Sequence, residues 1–295
     1  MRSEAVVLAA YRSRPFDFLA LAKPRVNLLV VASTLAGYVM AGADEFSVIR
    51  LLGTLIGTGL VAGGAAALNQ ISERDLDALM RRTRMRPLPD GRLQPTEALV
   101  FAAALSTTGL AMLALTSNVL AATVALVTLL SYAALYTPLK RLTSFSTVIG
   151  AIPGALPPII GWAAARGELS REAWTLFGIL FLWQLPHFLA IAWMYREDYA
   201  RAGYPMLPVL EPDGRSTGRQ SVVYAAALLP LSLAPTLMGL TGTIYFGAAL
   251  ALGALFLWLA LRFARTRTIQ DARSLFFGSI VYLPLVWILM IADRL

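Results

Sequence analysis

Residues 49–91 read IRLLGTLIGTGLVAGGAAALNQISERDLDALMRRTRMRPLPDG, and the three parts of this stretch decide the class of fold. The run from 49 to 71 is apolar and long enough to cross a bilayer as a helix, since about 20 residues span the roughly 30 Å of hydrocarbon. Gly53, Gly57, Gly59, Gly63 and Gly64 form overlapping small-xxx-small patterns, which let helices pack closely. Where the apolar run ends, Asn69, Glu73 and Asp77 recur at i, i+4 and i+8. On a helix each is rotated about 40° from the last and rises about 6 Å, so one stripe carries three oxygen-bearing side chains. Asp75 points away from it. Arg81, Arg82, Arg84 and Arg86 follow at once.

The rest of the chain has the same character. Of its 295 residues 58% are hydrophobic and 14% charged, against about 25% charged in soluble domains; the mean hydropathy is +0.67. Nine spans are predicted, at 22–42, 49–71, 97–115, 118–136, 147–165, 173–195, 220–239, 243–262 and 274–292, in one all-α bundle enclosing a cytoplasm-facing pocket. Nine spans leave the termini on opposite sides. Of the 25 Lys and Arg residues, only Arg50, Arg166, Arg171 and Arg294 fall on one side. Basic residues accumulate on cytoplasmic loops, which places the N-terminus inside and the C-terminus outside a bacterial inner membrane. The net charge of +8 then reflects topology, and no nucleic-acid partner is expected. The apolar piece Val6 to Tyr11 is too short for a signal-peptide core. Residues 1–21 are therefore expected to form a cytoplasmic segment and 22–295 a single transmembrane domain. The absence of cysteine excludes disulfides, iron–sulfur clusters and thiol catalysis, and a single histidine excludes bis-histidine haem ligation within one chain.

Polar groups at the cytoplasmic ends of spans need a reason, because ionisable side chains near membrane depth are costly. Asn69, Glu73 and Asp77 offer part of a hard-oxygen shell, which suits Mg²⁺ completed by water and substrate phosphates, with the following arginines neutralising phosphate oxygens. The competing explanation is a positive-inside loop with salt-bridged acids; it accounts for the arginines better than for Asn69. In SYAALYTPLKRLT (131–143), Tyr132, Tyr136 and Lys140 repeat the i, i+4, i+8 spacing, with Pro138 expected to end or bend the helix before the lysine. These are either interfacial anchors and topology determinants, or a cation for a diphosphate and phenols that hydrogen-bond it or shield a carbocation. In the third set, residues 181–209, an uninterrupted helix would put His187 and Asp198 about 20° apart on one face and about 16 Å apart along it. A lone core histidine is the bland alternative, and Gln184 one turn earlier makes the same face polar.

Taken together, these residues resemble the membrane prenyltransferase superfamily of the UbiA type, in its haem O synthase branch, from about Lys23 to the C-terminus. N-x3-E-x3-D with TRMRPLPDG is similar to the superfamily's first acid-rich motif and YTPLKR to its Tyr-x3-Lys element; PPIIGW (157–162), QLPHF (184–188) and DYARAGYPMLPV (198–209) are similar to later blocks. The resemblance implies that Asn69, Glu73 and Asp77 hold Mg²⁺ on farnesyl diphosphate. It implies that Lys140 and nearby arginines, among them Arg81, Arg84, Arg86, Arg141 and Arg196, bind phosphates, and that Tyr132 and Tyr136 border the reacting carbon. His187 and Asp198 would complete the pocket from the opposite side. Glu73 stands where the superfamily usually has Asp, and His187 where the quinone-type branch has an acid.

The implied reaction is farnesyl transfer to a vinyl group of haem B with addition of water, haem being substrate and Mg²⁺ the cofactor. Membrane lipid and a downstream haem-modifying enzyme or terminal oxidase are the implied partners. Alternatives are an aromatic, quinone-precursor prenyltransferase using the same diphosphate site, a transporter of an anionic substrate, and a haem-bearing electron carrier.

Overall fold

The structure is a computed structural model that describes residues 14–42 and 46–295. The expectations resting on Arg2, Arg12 and Val6 to Tyr11 lie outside the described residues. A short helix α1 (Arg14–Leu21) precedes α2 (Pro24–Ala41), α3 (Val48–Asp77), α4 (Pro95–Thr116), α5 (Val119–Leu139), α6 (Ser146–Arg166) and α7 (Arg171–Met194). Two short helices, α8 (Arg196–Arg201) and α9 (Leu207–Leu210), lead to α10 (Arg215–Leu237), α11 (Thr243–Thr266) and α12 (Ile269–Ala292). Nine of these among the described residues, α2 to α7 and α10 to α12, are long and apolar enough to cross a membrane. All nine expected spans are present, with ends displaced by a few residues. The largest shift is at α3, whose helix outruns its apolar stretch and carries the acidic stripe to Asp77.

The ends follow local chemistry. Ser47 accepts from the Arg50 N–H at 3.3 Å, Asn118 from Ala121 N–H at 2.8 Å and Thr268 from Asp271 N–H at 3.1 Å, satisfying donors that a helix start leaves open. Gln94 and Glu97 form a capping box around Pro95.

Close packing absorbs the small residues. A Cβ on Gly57 would lie 3.0 Å from Gly109 O, and one on Gly64 would strike Ser106 Oγ, so these glycines, with Gly53 against Thr116, seat α3 directly on α4. Gly59 and Gly63 face other neighbours, Val31 and Leu105 among them. The same device joins α2 to α6, where Gly161 meets the backbone of Thr34 and Gly37 that of Pro158. First and last spans are tied by Trp287 Nε1 donating to Ser33 Oγ at 3.2 Å.

Two features of these helices matter for the site. As expected, α5 ends before the lysine, at Leu139 directly after Pro138, and a distortion precedes the proline. Residues Ser131–Tyr136 form a π-helical turn, in which the Thr137 N–H reaches back five residues to Tyr132 O. Such a turn accommodates a proline that cannot donate, and the helical bond from Lys140 N–H to Tyr136 O at 3.0 Å then resumes. The helix through His187 does stop before Asp198: Tyr195, at φ −112°, ψ 22°, separates α7 from α8. The expected shared face of His187 and Asp198 is thereby lost.

Candidate active site

The C-terminal half of α3 buries three polar side chains. Asn69, Glu73 and Asp77 are 4%, 2% and 0% exposed, so each carboxylate needs a partner or carries an uncompensated desolvation cost of several kcal/mol. The partners come from the next loops. Lys140, just past α5, sets Nζ 2.9 Å and 3.1 Å from the two oxygens of Glu73. Arg86, in the 78–94 loop, places Nη1 2.6 Å from Asp77 Oδ2. Asp77 Oδ1 is buried and has no hydrogen-bond partner among the described residues. Asn69 lies between Thr137 Oγ1, to which it donates at 3.3 Å, and Lys23 Nζ, which donates to Asn69 Oδ1 at 3.4 Å.

Lys23 and its neighbours were not among the residues singled out from sequence. Gln70 Nε2 donates to Leu21 O at 2.8 Å and Asn27 Nδ2 to Ala22 O at 2.6 Å, holding the α1–α2 junction. Lys23 then takes φ +48° directly before Pro24, a left-handed conformation that costs a non-glycine residue about 1–3 kcal/mol. Burial, and after it the nearby Arg86 charge, brings the Lys23 ammonium down to about 8. Burial acts on Lys140 in the same direction and is the largest single influence, yet the facing Glu73 carboxylate, Tyr199 and Tyr204 together outweigh it and hold that ammonium above its ordinary value. Lys140 Nζ also sits 4.7 Å from the ring centre of Tyr204, whose buried hydroxyl has no hydrogen-bond partner among the described residues and titrates higher, chiefly through burial. Lys23, Thr137 and Tyr204 reach the stripe from parts of the chain remote in sequence.

The remaining expected residues divide. Arg81 and Arg84 are exposed in the 78–94 loop, with no ion pair or side-chain hydrogen bond among the described residues. Arg82 is engaged elsewhere: its N–H donates to Asp198 Oδ2 at 3.3 Å, its guanidinium to Tyr199 Oη at 3.2 Å, and it lies 4.9 Å from the Tyr195 ring centre. Asp198 also pairs with Arg201 at 2.8 Å. Asp198 thus fastens the 78–94 loop to α8 and does not join the triplet. Arg141 bonds the carbonyl of Ser72, an α3 turn that carries the stripe. Arg196 donates to Trp193 O at 3.1 Å and stacks on the Trp193 ring at 4.6 Å. Tyr132 and Tyr136 keep their rings 5.3 Å apart despite the π turn, Tyr136 packing on Gly150. Among the described residues Asp75 pairs only with Arg74, at the surface.

His187 sits in a separate environment. Its Nδ1 is 2.6 Å from Ser279 Oγ, and its ring lies stacked 5.2 Å from Trp183 and 5.0 Å from Phe276. Gln184 turns the other way, donating to Ala151 O at 2.9 Å and to Leu180 O at 3.1 Å, so it does not extend a polar face toward His187.

The cytoplasm-facing pocket expected around the triplet is not evident. A cavity of about 990 Å³ lies between α1 and α4, lined by Phe18, Leu19, Val100 and Phe101 among others, and one of about 260 Å³ lies beside Arg74 and Pro89. Neither is lined by Asn69, Glu73 or Asp77, whose surroundings are filled by their own counter-ions. Among the described residues no three carboxylates, imidazoles or cysteines form a metal cage. Two carboxylates, one of them with its Oδ1 open, and one amide are oxygen donors of the kind that suits a hard cation taking its other ligands from water and substrate.

A model of the UbiA prenyltransferase family matches residues 30–281. The chain is 52% identical over 287 residues to a protoheme IX farnesyltransferase of Solibacter usitatus (strain Ellin6076), covering 94% of this chain and 98% of that one. It is 45% identical over 288 residues to the protein of the same name from Koribacter versatilis (strain Ellin345), covering 94% and 93%. A solved structure of digeranylgeranylglyceryl phosphate synthase shares the fold with TM-score 0.78 at 18% identity, over 94% of this chain and 97% of that one. A UbiA homolog from Archaeoglobus fulgidus bound to GPP and Mg²⁺ does so with TM-score 0.72 at 16% identity, over 94% and 99%. Matched along most of its length by the family's model and by relatives of one name, this chain belongs to the UbiA prenyltransferase family.

Proposed function

We propose that this chain transfers the farnesyl group of farnesyl diphosphate to a vinyl group of haem B with addition of water, giving haem O. The observation that carries the proposal is the buried stripe of Asn69, Glu73 and Asp77, countered by Lys140 and Arg86. It occurs in a chain 52% identical to a protoheme IX farnesyltransferase. The stripe would hold Mg²⁺, and Asp77 Oδ1, buried with no hydrogen-bond partner among the described residues, is the donor most open to it. Magnesium bound there would supply positive charge to the leaving diphosphate.

The chain's own groups do the rest. Lys140 and Arg86 exchange their carboxylate partners for phosphate oxygens, with Arg81 and Arg84 at the rim and Lys23 beside Asn69 adding further positive charge. This stabilises the charge that develops as the C1–O bond breaks and its electron pair leaves with diphosphate. The vinyl π pair then forms the new carbon–carbon bond, and water adds to the resulting cationic carbon and loses a proton. The rings of Tyr132 and Tyr136 border the allylic cation and exclude water until the acceptor has reacted. His187 contacts the haem acceptor. Residues 22–295 act as one prenyltransferase domain, with residues 1–21 and the stripe on the cytoplasmic side.

The test is direct: purified protein, haem B, farnesyl diphosphate and Mg²⁺ should yield a haem whose mass has risen by a farnesyl group plus a hydroxyl group. Recovery of unmodified haem together with farnesol would count against the proposal. Orientation is checked separately, since reporters fused after Arg92 and after Arg215 should read cytoplasmic and one near Arg166 external.

A further inference from the structure

The hydrogen bonds around His187 determine which of its nitrogens carries the proton. Ser279 Oγ lies 2.5 Å from Phe276 O, a carbonyl one helical turn back that can only accept. The single hydroxyl proton of Ser279 is therefore committed to Phe276. The 2.6 Å contact between Ser279 Oγ and His187 Nδ1 then requires the imidazole to donate. With its proton on Nδ1, the neutral ring keeps its lone pair on Nε2, which has no hydrogen bond among the described residues.

The ring plane is fixed as well. Trp183 and Phe276 stack on His187 at 5.2 Å and 5.0 Å, and Phe188 meets it edge-on at 5.5 Å. Trp183 Nε1 donates to Ser279 O at 2.8 Å, so the tryptophan that stacks on the imidazole also holds the backbone of the serine it bonds. An imidazole oriented by an acceptor at Nδ1, with Nε2 bare, is the arrangement found around histidines that ligate metals.

We infer that Ser279 is a positioning residue, which locks His187 in the Nδ1–H tautomer and presents Nε2 as the ligand to the iron of the haem acceptor. The iron part rests on the proposed function; the tautomer lock does not. Removing the hydroxyl leaves Nδ1 without its acceptor and lets the ring flip or change tautomer within the aromatic sandwich. Threonine at 279 keeps the oxygen.

Because His187 is the chain's single histidine, ¹⁵N-histidine labelling gives one pair of imidazole nitrogens, with no assignment between residues to make. In the full chain in lipid nanodiscs without haem, Nδ1 should be the protonated nitrogen. Ser279→Ala should reduce the ratio of the Nδ1–H to the Nε2–H form at least tenfold, and Ser279→Thr should restore it. A wild-type ring protonated on Nε2, or a ratio unmoved by Ser279→Ala, overturns the lock. Ferric haem titrated into the same samples, read by its Soret band and low-spin EPR signal, tests the iron. The nitrogen-ligated signature should vanish in His187→Ala and weaken about tenfold in Ser279→Ala. A signature that survives His187→Ala removes the iron assignment and, with it, the histidine's proposed haem contact, while a confirmed tautomer ratio would still stand for Ser279.

Discussion

The acidic stripe on α3, buried, and the histidine on α7, half-buried, are both polar groups in an apolar bundle, and they are stabilised in opposite ways. Around Asn69, Glu73 and Asp77 the protein supplies full charges, Lys140 on Glu73 and Arg86 on Asp77. Around His187 it supplies, among the described residues, no ion pair but two stacked rings, one edge-on ring and one serine. The difference follows from ionisation. A carboxylate cannot be buried without a counter-charge, whereas a neutral imidazole needs only its N–H satisfied. The stripe is thus occupied by its own cations until a ligand takes their place, while the histidine stands oriented in advance. Ligand binding at the first is an exchange of partners; at the second it is an addition.

The largest effect is expected where the exchange centres. Asp77→Ala removes the buried carboxylate that carries the open oxygen and leaves Arg86 without its partner. Turnover should fall at least a hundredfold, about 2.7 kcal/mol of lost transition-state stabilisation, while the protein still inserts and purifies. Asp77→Asn, which preserves volume, should fall as far. Turnover near wild type in either protein would break the assignment of the stripe.

Lys140 sharpens the contrast, because an exchange predicts effects of opposite sign on the two ligands. Lys140→Gln removes the cation that occupies Glu73 at 2.9 Å. Mn²⁺ binding in the absence of diphosphate, followed by EPR, should tighten about tenfold, and binding of a non-ionising farnesyl thiolodiphosphate should weaken about tenfold, each near 1.4 kcal/mol. If both affinities fall together, Lys140 is a structural partner of Glu73 and no exchange takes place.

At the histidine the prediction is narrower. His187→Ala should raise the KM for haem about tenfold and leave Mn²⁺ and thiolodiphosphate binding within twofold of wild type, since no contact links His187 to Asn69, Glu73 or Asp77 among the described residues. Loss of diphosphate binding with haem affinity intact would assign the histidine to the donor site. Unchanged binding of both with a lowered Tm would reduce it to packing.

How far each region was legible in the sequence follows from the same physics. The stripe announced itself because helical spacing is local: residues 69, 73 and 77 share a face on any helix, and the apolar run before them fixed where that helix lies. The nine spans were readable for the same reason. Lys23 resembled any other positive-inside residue, and its arrival at Asn69 depends on Gln70 and Asn27 holding carbonyls at the α1–α2 junction. Arg82 and Arg86 looked alike in sequence, yet one faces Asp198 and the other Asp77. Spacing between loops cannot separate them, because the fold of the 78–94 segment decides which guanidinium turns inward. The π turn was hidden as well: Pro138 signalled a disturbance, but whether a helix stops or widens depends on neighbours such as Gly150, against which Tyr136 packs. Ser279 lay outside every motif, and only the packing of α12 on α7 brings it to His187.

The smallest effect is expected at Asp75, and it tests the phase of the stripe. Asp75 belongs to the same helix and the same run of acids as Glu73 and Asp77, and it stands between them in sequence. Its side chain is 84% exposed and, among the described residues, pairs only with Arg74, itself at the surface. An exposed pair of this kind contributes about 0–1 kcal/mol. A helix places Asp75 about 200° from Glu73, on the far side from Asn69 and Lys140. Asp75→Asn should therefore leave turnover within twofold of wild type and alter stability by less than about 0.5 kcal/mol. The identical chemical change at Asp77, two residues on, is expected to cost a hundredfold. A loss at Asp75 comparable to that at Asp77 would mean that local charge density, and not the face that meets Lys140 and Arg86, governs activity, and the contrast between the stripe and the histidine would lose its geometric basis.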